Sequence, residues 1–358
     1  MTAPAKQPIG AFEALERAQW IAFAPFVFQA ACVLRDRGII EALERNREGL
    51  TLEQTAAAVD LPIYGTRVLL EAGLGIGLLS EDDGRYRVTI TALLLLHDPM
   101  TRANMDFTRD VNYLGLAHLD AAIASGKPKG LAVFGEQWET VYEALASLPE
   151  QVRESWFGFD HFYSDSAFPA ALPLVLEQRP RRLLDIGGNT GKWATACLRA
   201  DPELHVTILD LPGQLHNAEQ NLAEAGLLER VRFQPANLLD EGCVIPAEFD
   251  AIWMSQFLDC FSEAEITSIL RRCVAAMGPE TKLYILEAFW DRQRFAAASF
   301  CLQMTSLYFT AIANGNSQMY RSTTFLECVR AAGLEVEVEH EGLGVSHTLL
   351  VCRRGAAA

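Results

Sequence analysis

Positive charge is scarce in this chain: 30 lysines and arginines stand against 46 aspartates and glutamates, a formal net charge of −16 over 358 residues. The excess acid is spread along the chain and forms no tail, and no basic cluster is left to meet a nucleic-acid backbone. This balance argues against nucleic acid as a partner and for a small-molecule substrate. Cysteine is present but unpatterned: the eight cysteines form no C-x-x-C pair and no metal-ligand spacing, so buried thiols of a reducing compartment and no metal site are expected. The opening MTAPAKQPIG has no signal-peptide pattern, and no apolar run approaches the roughly twenty residues that span a bilayer. A cytoplasmic protein without a membrane partner is the expectation. At 50% hydrophobic the chain can bury a sizeable core, and its length suggests two domains.

The stretch RRLLDIGGNTGKWATACLRADPELHVTILDL, from Arg181 to Leu211, reads as strand, glycine turn, helix, strand. Leu183, Leu184 and Ile186 form an apolar run that stops at a glycine cluster, followed by helical composition. Gly187, Gly188 and Gly191 allow a sharp turn and close approach of a ligand to the main chain, and the helix N-terminus offers unpaired N–H groups to it. Roughly twenty residues on, a second apolar run ends in Asp210, placed to accept the hydroxyls of a ribose. A dinucleotide fingerprint would need G-x-G-x-x-G, and neither Gly187 nor Gly188 begins one.

What stands here is Asp185-x-Gly187-x-Asn189-x-Gly191, with Asn189 in place of a middle glycine. It resembles motif I of the class I S-adenosylmethionine (SAM) methyltransferases, in which the acidic residue helps hold the amino group of the methionine moiety. The resemblance implies an α/β fold: a Rossmann-like, seven-stranded, doubly wound sheet with SAM as cofactor. Strands are expected at 231–233, 249–254 and 282–287, with 335–339 and 347–352 as an antiparallel closing pair. Leu211, Leu238 and Ser255 complete the expected cofactor-binding set, and Asn237 stands where the family usually has an aspartate on the adenine amino group; its carbonyl oxygen can accept the same hydrogen bond.

Towards the N-terminus, residues 11–45 are helical in composition, with Phe23, Phe26 and Phe28 clustered. Thr51-x-x-Gln54 has the form of a capping box opening a helix through Val59. A further helix follows Leu61-Pro62 to about Ala72, and residues 78–88 read as a hairpin turning at Asp83-Gly84. This is a winged-helix order. A DNA-facing helix should present cations, but this one carries Arg67 and Glu71, and the wing is acidic at Glu81, Asp82 and Asp83. The same unit opens small-molecule O-methyltransferases of the hydroxyindole, caffeate and polyketide-tailoring type, where it is a dimerisation module, so a homodimer is implied. The expected division is 1–100 for that module, 101–175 for a helical region covering the substrate, and 176–358 for the SAM-binding domain.

The aromatic segment at 156–163 offers Trp156, Phe159, His161 and Phe162 as the wall of an acceptor pocket, joined by Met304 and Tyr308 from a later helix. The site of chemistry is expected after the strand at 249–254, at the carboxyl end of the sheet. In the resembling family this segment reads Leu-His-Asp-Trp. Here Leu258 keeps the leucine, Asp259 stands at the catalytic histidine, and Cys260 and Phe261 follow. Glu287 matches one of two glutamates that flank the histidine, and Tyr320, before Arg321, stands in place of the other. Methylating a phenol needs a base, and the candidates are Asp259, assisted by Glu287, and Tyr320; Asp259 could alternatively cap the helix starting near Ser262. The activity implied is SAM-dependent methylation of a small aromatic or phenolic acceptor at oxygen or ring carbon. The competing implication is a SAM-binding relative that has lost methyl transfer.

Overall fold

A computed structural model describes residues 9–355 and divides them into two units, one ending at Thr108 and the other beginning at Arg109. The first opens with the long helix α1 (Ala11–Asp36), followed by α2 (Ile39–Glu44), α3 (Leu52–Val59) and α4 (Ile63–Gly75). The capping box is present, with Thr51 Oγ1 accepting from the Gln54 amide and the Gln54 side chain accepting from the Thr51 amide. Strands β1 (Leu79–Asp82) and β2 (Arg85–Val88) form the hairpin. Its turn residues Asp83 and Gly84 both have positive φ, 49° and 69°, the twist that two-residue hairpin loops require. Two helices, α5 (Ile90–His97) and α6 (Pro99–Asp106), complete the unit. Its core is aliphatic, with Leu34, Ile39, Ile40 and Leu70 fully buried.

The outer face of α1 stays open: Phe12, Ile21 and Phe26 are 90%, 77% and 71% exposed. By length and composition alone, α1 and the helical run 296–313 could each cross a membrane, with mean hydropathy 1.3. This corrects the expectation that no apolar run reaches such a length. The reason is that the charges of α1 collect at its two ends, leaving residues 18–34 free of them.

In the second unit, the helical region expected up to about Leu176, with a turn-rich break at Ser125–Gly130, does break there, where α7 (Leu119–Ser125) ends, and it is cut further into short pieces, with α8 (Val141–Ala144) among single turns. Gly115 and Gly130 bring two of these turns together backbone to backbone: a Cβ on Gly130 would lie 2.4 Å from the Gly115 carbonyl oxygen, which no longer helix would allow. Regular structure resumes in α9 (Glu150–Leu176), which carries the aromatic segment.

The sheet is then laid down by β3 (Arg182–Ile186), α10 (Lys192–Ala200), β4 (His205–Asp210), α11 (Pro212–Glu224), β5 (Val231–Pro235), β6 (Ala251–Ser255), α12 (Glu263–Ala276), β7 (Lys282–Ala288), α13 (Ala296–Tyr308), α14 (Ser322–Ala331), β8 (Leu334–Leu343) and β9 (His347–Arg354). The strand order is β5-β4-β3-β6-β7-β9-β8, parallel except for β9, which runs antiparallel to both β7 and β8. The order reverses between β3 and β6, and the crevice beyond their carboxyl ends is where such sheets bind ligands. Helices cover both faces. On one, α12 and α14 pack Ile269, Leu270 and Phe325 against β6 and β7; on the other, α9 and α10 pack Ala171 and Trp193 against β3, β4 and Trp253. The rings of Trp193 and Trp253 stack 3.8 Å apart.

Candidate active site

The turn after β3 is shaped by backbone freedom. Gly187 and Gly191 have φ of 74° and 76°, and Asn189 adopts the same left-handed region at 49°, where asparagine is among the better-tolerated residues. A Cβ on Gly187 would lie 2.3 Å from the Phe257 ring, and one on Gly188 would meet Ile208 at 2.7 Å and Asp185 at 2.9 Å. Asp185 is 2% exposed, and burial, with Asp210 adding its field, pushes its pKa up to about 8. Its Oδ2 has no hydrogen-bond partner.

Asp210 is less free than expected. Its Oδ2 accepts from the Asn189 amide at 2.9 Å and its Oδ1 from the Leu211 amide at 2.7 Å. Each oxygen keeps one lone-pair direction for a ribose hydroxyl. Burial raises the group to about 6, against the two backbone bonds. Asn237 is exposed, and its carbonyl oxygen accepts from the Leu239 amide at 2.9 Å, which leaves that oxygen one further lone-pair direction. Leu238 is 6% exposed in the core beside β6 and contributes packing.

The residues present fit SAM. Asp185 Oδ2, Asn189 Oδ1, Ser255 Oγ and Gln256 Oε1 are buried around the carboxyl ends of β3 and β6 without partners, and orphaned buried acceptors of this kind call for a ligand with donors. A cleft of about 590 Å³ opens beside the turn, lined among others by Tyr142, Arg153, Phe157, Thr190, Leu211 and Gln214.

The turn after β6 is held from outside. Gln256 has φ 46°, and Glu287 reaches from β7 to accept from the Phe257 and Leu258 amides at 3.2 and 2.8 Å. Glu287 Oε2 is left without a partner in a residue 1% exposed, and burial together with nearby Asp259 raises its pKa well above the usual carboxylate range. Asp259 is 5% exposed; burial pushes it up to about 6, against a hydrogen bond from Cys260. It does not cap the following helix. Ser262 does, in a capping box with Glu265.

Tyr320 is spoken for as well. Its hydroxyl donates to the Phe261 carbonyl at 2.6 Å, the ring is 3% exposed, and burial raises the phenol above its ordinary value. A phenol tied to a carbonyl and resisting ionisation is a poor base, so its place here is to hold the turn.

On α9, Trp156 Nε1 donates to the Tyr308 hydroxyl at 2.7 Å, with both residues buried. Phe157 packs edge-on against Trp156, and the rings of Phe159 and Phe162 meet that of Tyr163 at 55° and 82°. Met304 does not join them; it is 45% exposed on α13. His161 lies at the glycine turn, its Nε2 3.3 Å from Thr190 Oγ1. Burial first, then Lys192, lowers its pKa to about 4, so the imidazole is neutral at ordinary pH.

Sequence reasoning missed two residues. Asp160, beside His161, accepts from the Asn189 side chain at 3.2 Å. The buried phenol of Tyr142 is raised by burial and by the fields of Cys260, Tyr308 and Asp259. Neither sits in a spacing pattern that would mark it.

A family model described as an O-methyltransferase domain matches residues 117–335, more than half of the chain. The chain belongs to that family. It is a SAM-dependent methyltransferase. A second model, a Dimerisation2-like domain, matches residues 16–86. Among curated relatives, the L-tyrosine C(3)-methyltransferase of Streptomyces lavendulae is 27% identical over 330 residues, 90% of this chain and 87% of that one. The 3-hydroxy-5-methyl-1-naphthoate 3-O-methyltransferase of Streptomyces sahachiroi is 26% identical over 257 residues, 72% of each. The apo form of the S-adenosylmethionine-dependent methyltransferase SibL superposes with a TM-score of 0.72 at 27% identity, covering 95% of this chain and 99% of that one.

Proposed function

We propose that this methyltransferase acts on a small phenolic acceptor, with Asp259 as the base that takes the phenolic proton. The single observation behind this is the carboxylate at the carboxyl end of β6: Asp259 is buried, shifted up to about 6, and ionises near neutral pH, where a general base works best. Glu287 supports it. Burial and the nearby Asp259 raise its pKa, and its bonds from the Phe257 and Leu258 amides hold the turn that carries Asp259. The cofactor, when bound, supplies an electrophilic methyl group on its sulfonium. Asp185, Asn189, Asp210, Leu211 and Ser255 would hold it, and Trp156, Phe159, Phe162 and Tyr308 would form the aromatic wall against the acceptor.

Both outcomes open to a phenolate begin with transfer of the phenolic proton to Asp259. Attack through oxygen gives the methyl ether. Attack through the ring carbon ortho to it gives a methylated dienone, which becomes the C-methyl phenol when that carbon's proton passes to water and the oxygen takes back the proton held by Asp259. The relative named for C-3 methylation of L-tyrosine covers most of this chain, which makes tyrosine-like phenols the first acceptors to try. Incubation with methyl-labelled SAM and a panel of simple, tyrosine-like and naphthoic phenols should transfer label to at least one phenol, at oxygen or ring carbon. A panel that stays unlabelled while SAM binds would remove phenols as the acceptor class.

The same proposal assigns residues 1–100 to a homodimer interface, residues 101–175 to covering the acceptor, and residues 176–358 to the cofactor, in a protein working in the cytoplasm. The open apolar face of α1, with Ile21 77% and Phe26 71% exposed, supports the dimer, since a face of this kind is a protein-interaction surface. Light scattering should give a dimer for the full chain and a monomer or aggregate after deletion of residues 1–30; a soluble full-length monomer at micromolar concentration overturns the interface.

A further inference from the structure

We infer that Arg153 binds a carboxylate on the acceptor, so that the substrate is a phenolic acid with its charge on a short arm; this rests on the phenolic acceptor and aromatic wall proposed above. Arg153 stands on α9 and lines the cleft of about 590 Å³ beside the cofactor turn, which Thr190 and Leu211 line as well. The residue is half-buried, and its guanidinium makes no hydrogen bond or ion pair among the described residues. It is the one cation on the lining. The one acid there, Glu143, is exposed, and its Oε2 accepts from the Glu139 amide at 3.1 Å.

Helical spacing sets the order of the groups along the cleft. Arg153, Phe157 and His161 are four residues apart on α9, and residues so spaced share one face of a helix. At the near end, His161 Nε2 lies 3.3 Å from Thr190 Oγ1, and the imidazole is 5.6 Å from the ring of Phe157. Phe157 itself lines the cleft and packs edge-on against Trp156 with the ring centroids 5.0 Å apart, so the cleft adjoins the wall assigned to the acceptor. Arg153 follows one turn later, about 6 Å further along the helix from the cofactor turn. An aromatic ring lying on Phe157 therefore sets a carboxylate on a short arm against Arg153.

The chemistry of the lining fits that ligand. A guanidinium offers two parallel N–H donors that match the two oxygens of a carboxylate, and a single free cation answers a single negative charge. Two neutral polar atoms on the same lining, the Tyr142 hydroxyl and Gln214 Oε1, are buried without a hydrogen-bond partner, and buried groups of this kind are completed by a ligand or by water. The carboxylate of SAM is not the occupant. It sits on the carbon that bears the ammonium, which the motif resemblance gives to Asp185, and Asp185 does not line this cleft.

The test is calorimetric titration of full-length protein saturated with S-adenosylhomocysteine (SAH), using 3-(4-hydroxyphenyl)propanoate and 4-propylphenol, which has a methyl group in place of the carboxylate. Wild type should bind the acid at least roughly tenfold more tightly than the neutral phenol. Arg153→Gln should erase that preference while the affinities for 4-propylphenol and SAH each move by less than about twofold; a half-buried helix position tolerates the change, and unaltered SAH binding shows that the fold is intact. An acid that wild type binds no better than 4-propylphenol, or not at all, overturns the inference. So does a variant that weakens both phenols equally, and so does one that weakens SAH, which would put Arg153 on the cofactor. Failure of the phenolic reading is seen elsewhere, in the labelled-methyl assay: an acid held through Arg153 that takes no label leaves this inference standing, whereas label on neutral phenols without any preference for the acid overturns the inference alone.

Discussion

The turns after β3 and β6 stand side by side at the reversal point of the sheet, and both carry buried acids, yet they are built in opposite ways. The first takes its shape chiefly from glycines, Gly187 and Gly191 at positive φ, with Asp210 at the end of β4 accepting from the Asn189 and Leu211 amides. The second has no glycine and takes its shape from remote side chains. Glu287 ties down the Phe257 and Leu258 amides, the Asn314 side chain donates to the Cys260 carbonyl, and Tyr320 donates to the Phe261 carbonyl. A turn of the first kind holds a ligand with its backbone. A turn of the second kind places a carboxylate where only the surrounding packing could put it, which sets that group's acidity.

Four expectations would break or sharpen this contrast. The largest concerns Asp259. Asp259→Asn keeps the side-chain volume and removes no helix cap, because Ser262 supplies the cap; turnover should fall by about 10²–10⁴ with SAM binding intact. Tyr320→Phe should retain most of the turnover and lose about 1–2 kcal/mol of stability, the cost of leaving the half-buried Phe261 carbonyl without this bond. The reverse pattern in a labelled-methyl assay would make Tyr320 the base.

Next comes Gly187→Ala, which sets a Cβ 2.3 Å from the Phe257 ring at φ 74°. Backbone strain and overpacking together should cost about 2–5 kcal/mol, seen as a lower Tm and weaker SAM binding. Adding Phe257→Ala should recover part of that loss. Strictly additive effects would show that the two turns do not support each other.

Asp210→Ala should weaken SAM by at least roughly tenfold, since the ribose hydroxyls lose an acceptor and two turn amides lose theirs. Calorimetry giving wild-type affinity would remove Asp210 from the site.

The smallest effect is on stability against pH. The folded-state pKa values of Asp185 and Asp160 are raised, to about 8 and about 7, above those of an unfolded chain. A raised carboxyl contributes stability that is present below its unfolded pKa and lost as pH rises through the folded one. His161 and His347, lowered to about 4, act in the opposite sense mainly below pH 6.5. Between pH 6.5 and 8 the carboxyls dominate, and the cofactor-free protein should lose about 1–2 kcal/mol. A thermal melt series showing Tm rising across that interval would mean these acids are ionised at lower pH than their burial implies.

Most of the fold was legible in the amino-acid order because its signals are short-range. Apolar runs stop at the glycine turn, Thr51 and Gln54 stand at capping-box spacing, and Asp83-Gly84 supplies the hairpin turn. The start of the second unit was legible only in part, because the approach of Gly115 to Gly130 joins turns fifteen residues apart in a way that composition does not signal. At the site, Asp185, Asp210 and Asp259 could be found by position, whereas the engagement of Asn237 and Tyr320, the exposure of Met304 and the presence of Asp160 could not.

Amino-acid order by itself determined the alternation of strands and helices, the cofactor turn and the family, since each depends on residues a few positions apart and on backbone preferences they carry wherever they are. Only the tertiary structure decided how acidic each carboxyl is and which polar atoms are left for a ligand. Desolvation and Coulomb interaction depend on distances between groups from different elements. Asp160, Asp259 and Glu287 come from α9, the turn after β6 and the end of β7, and they interact only because the sheet brings those three places together.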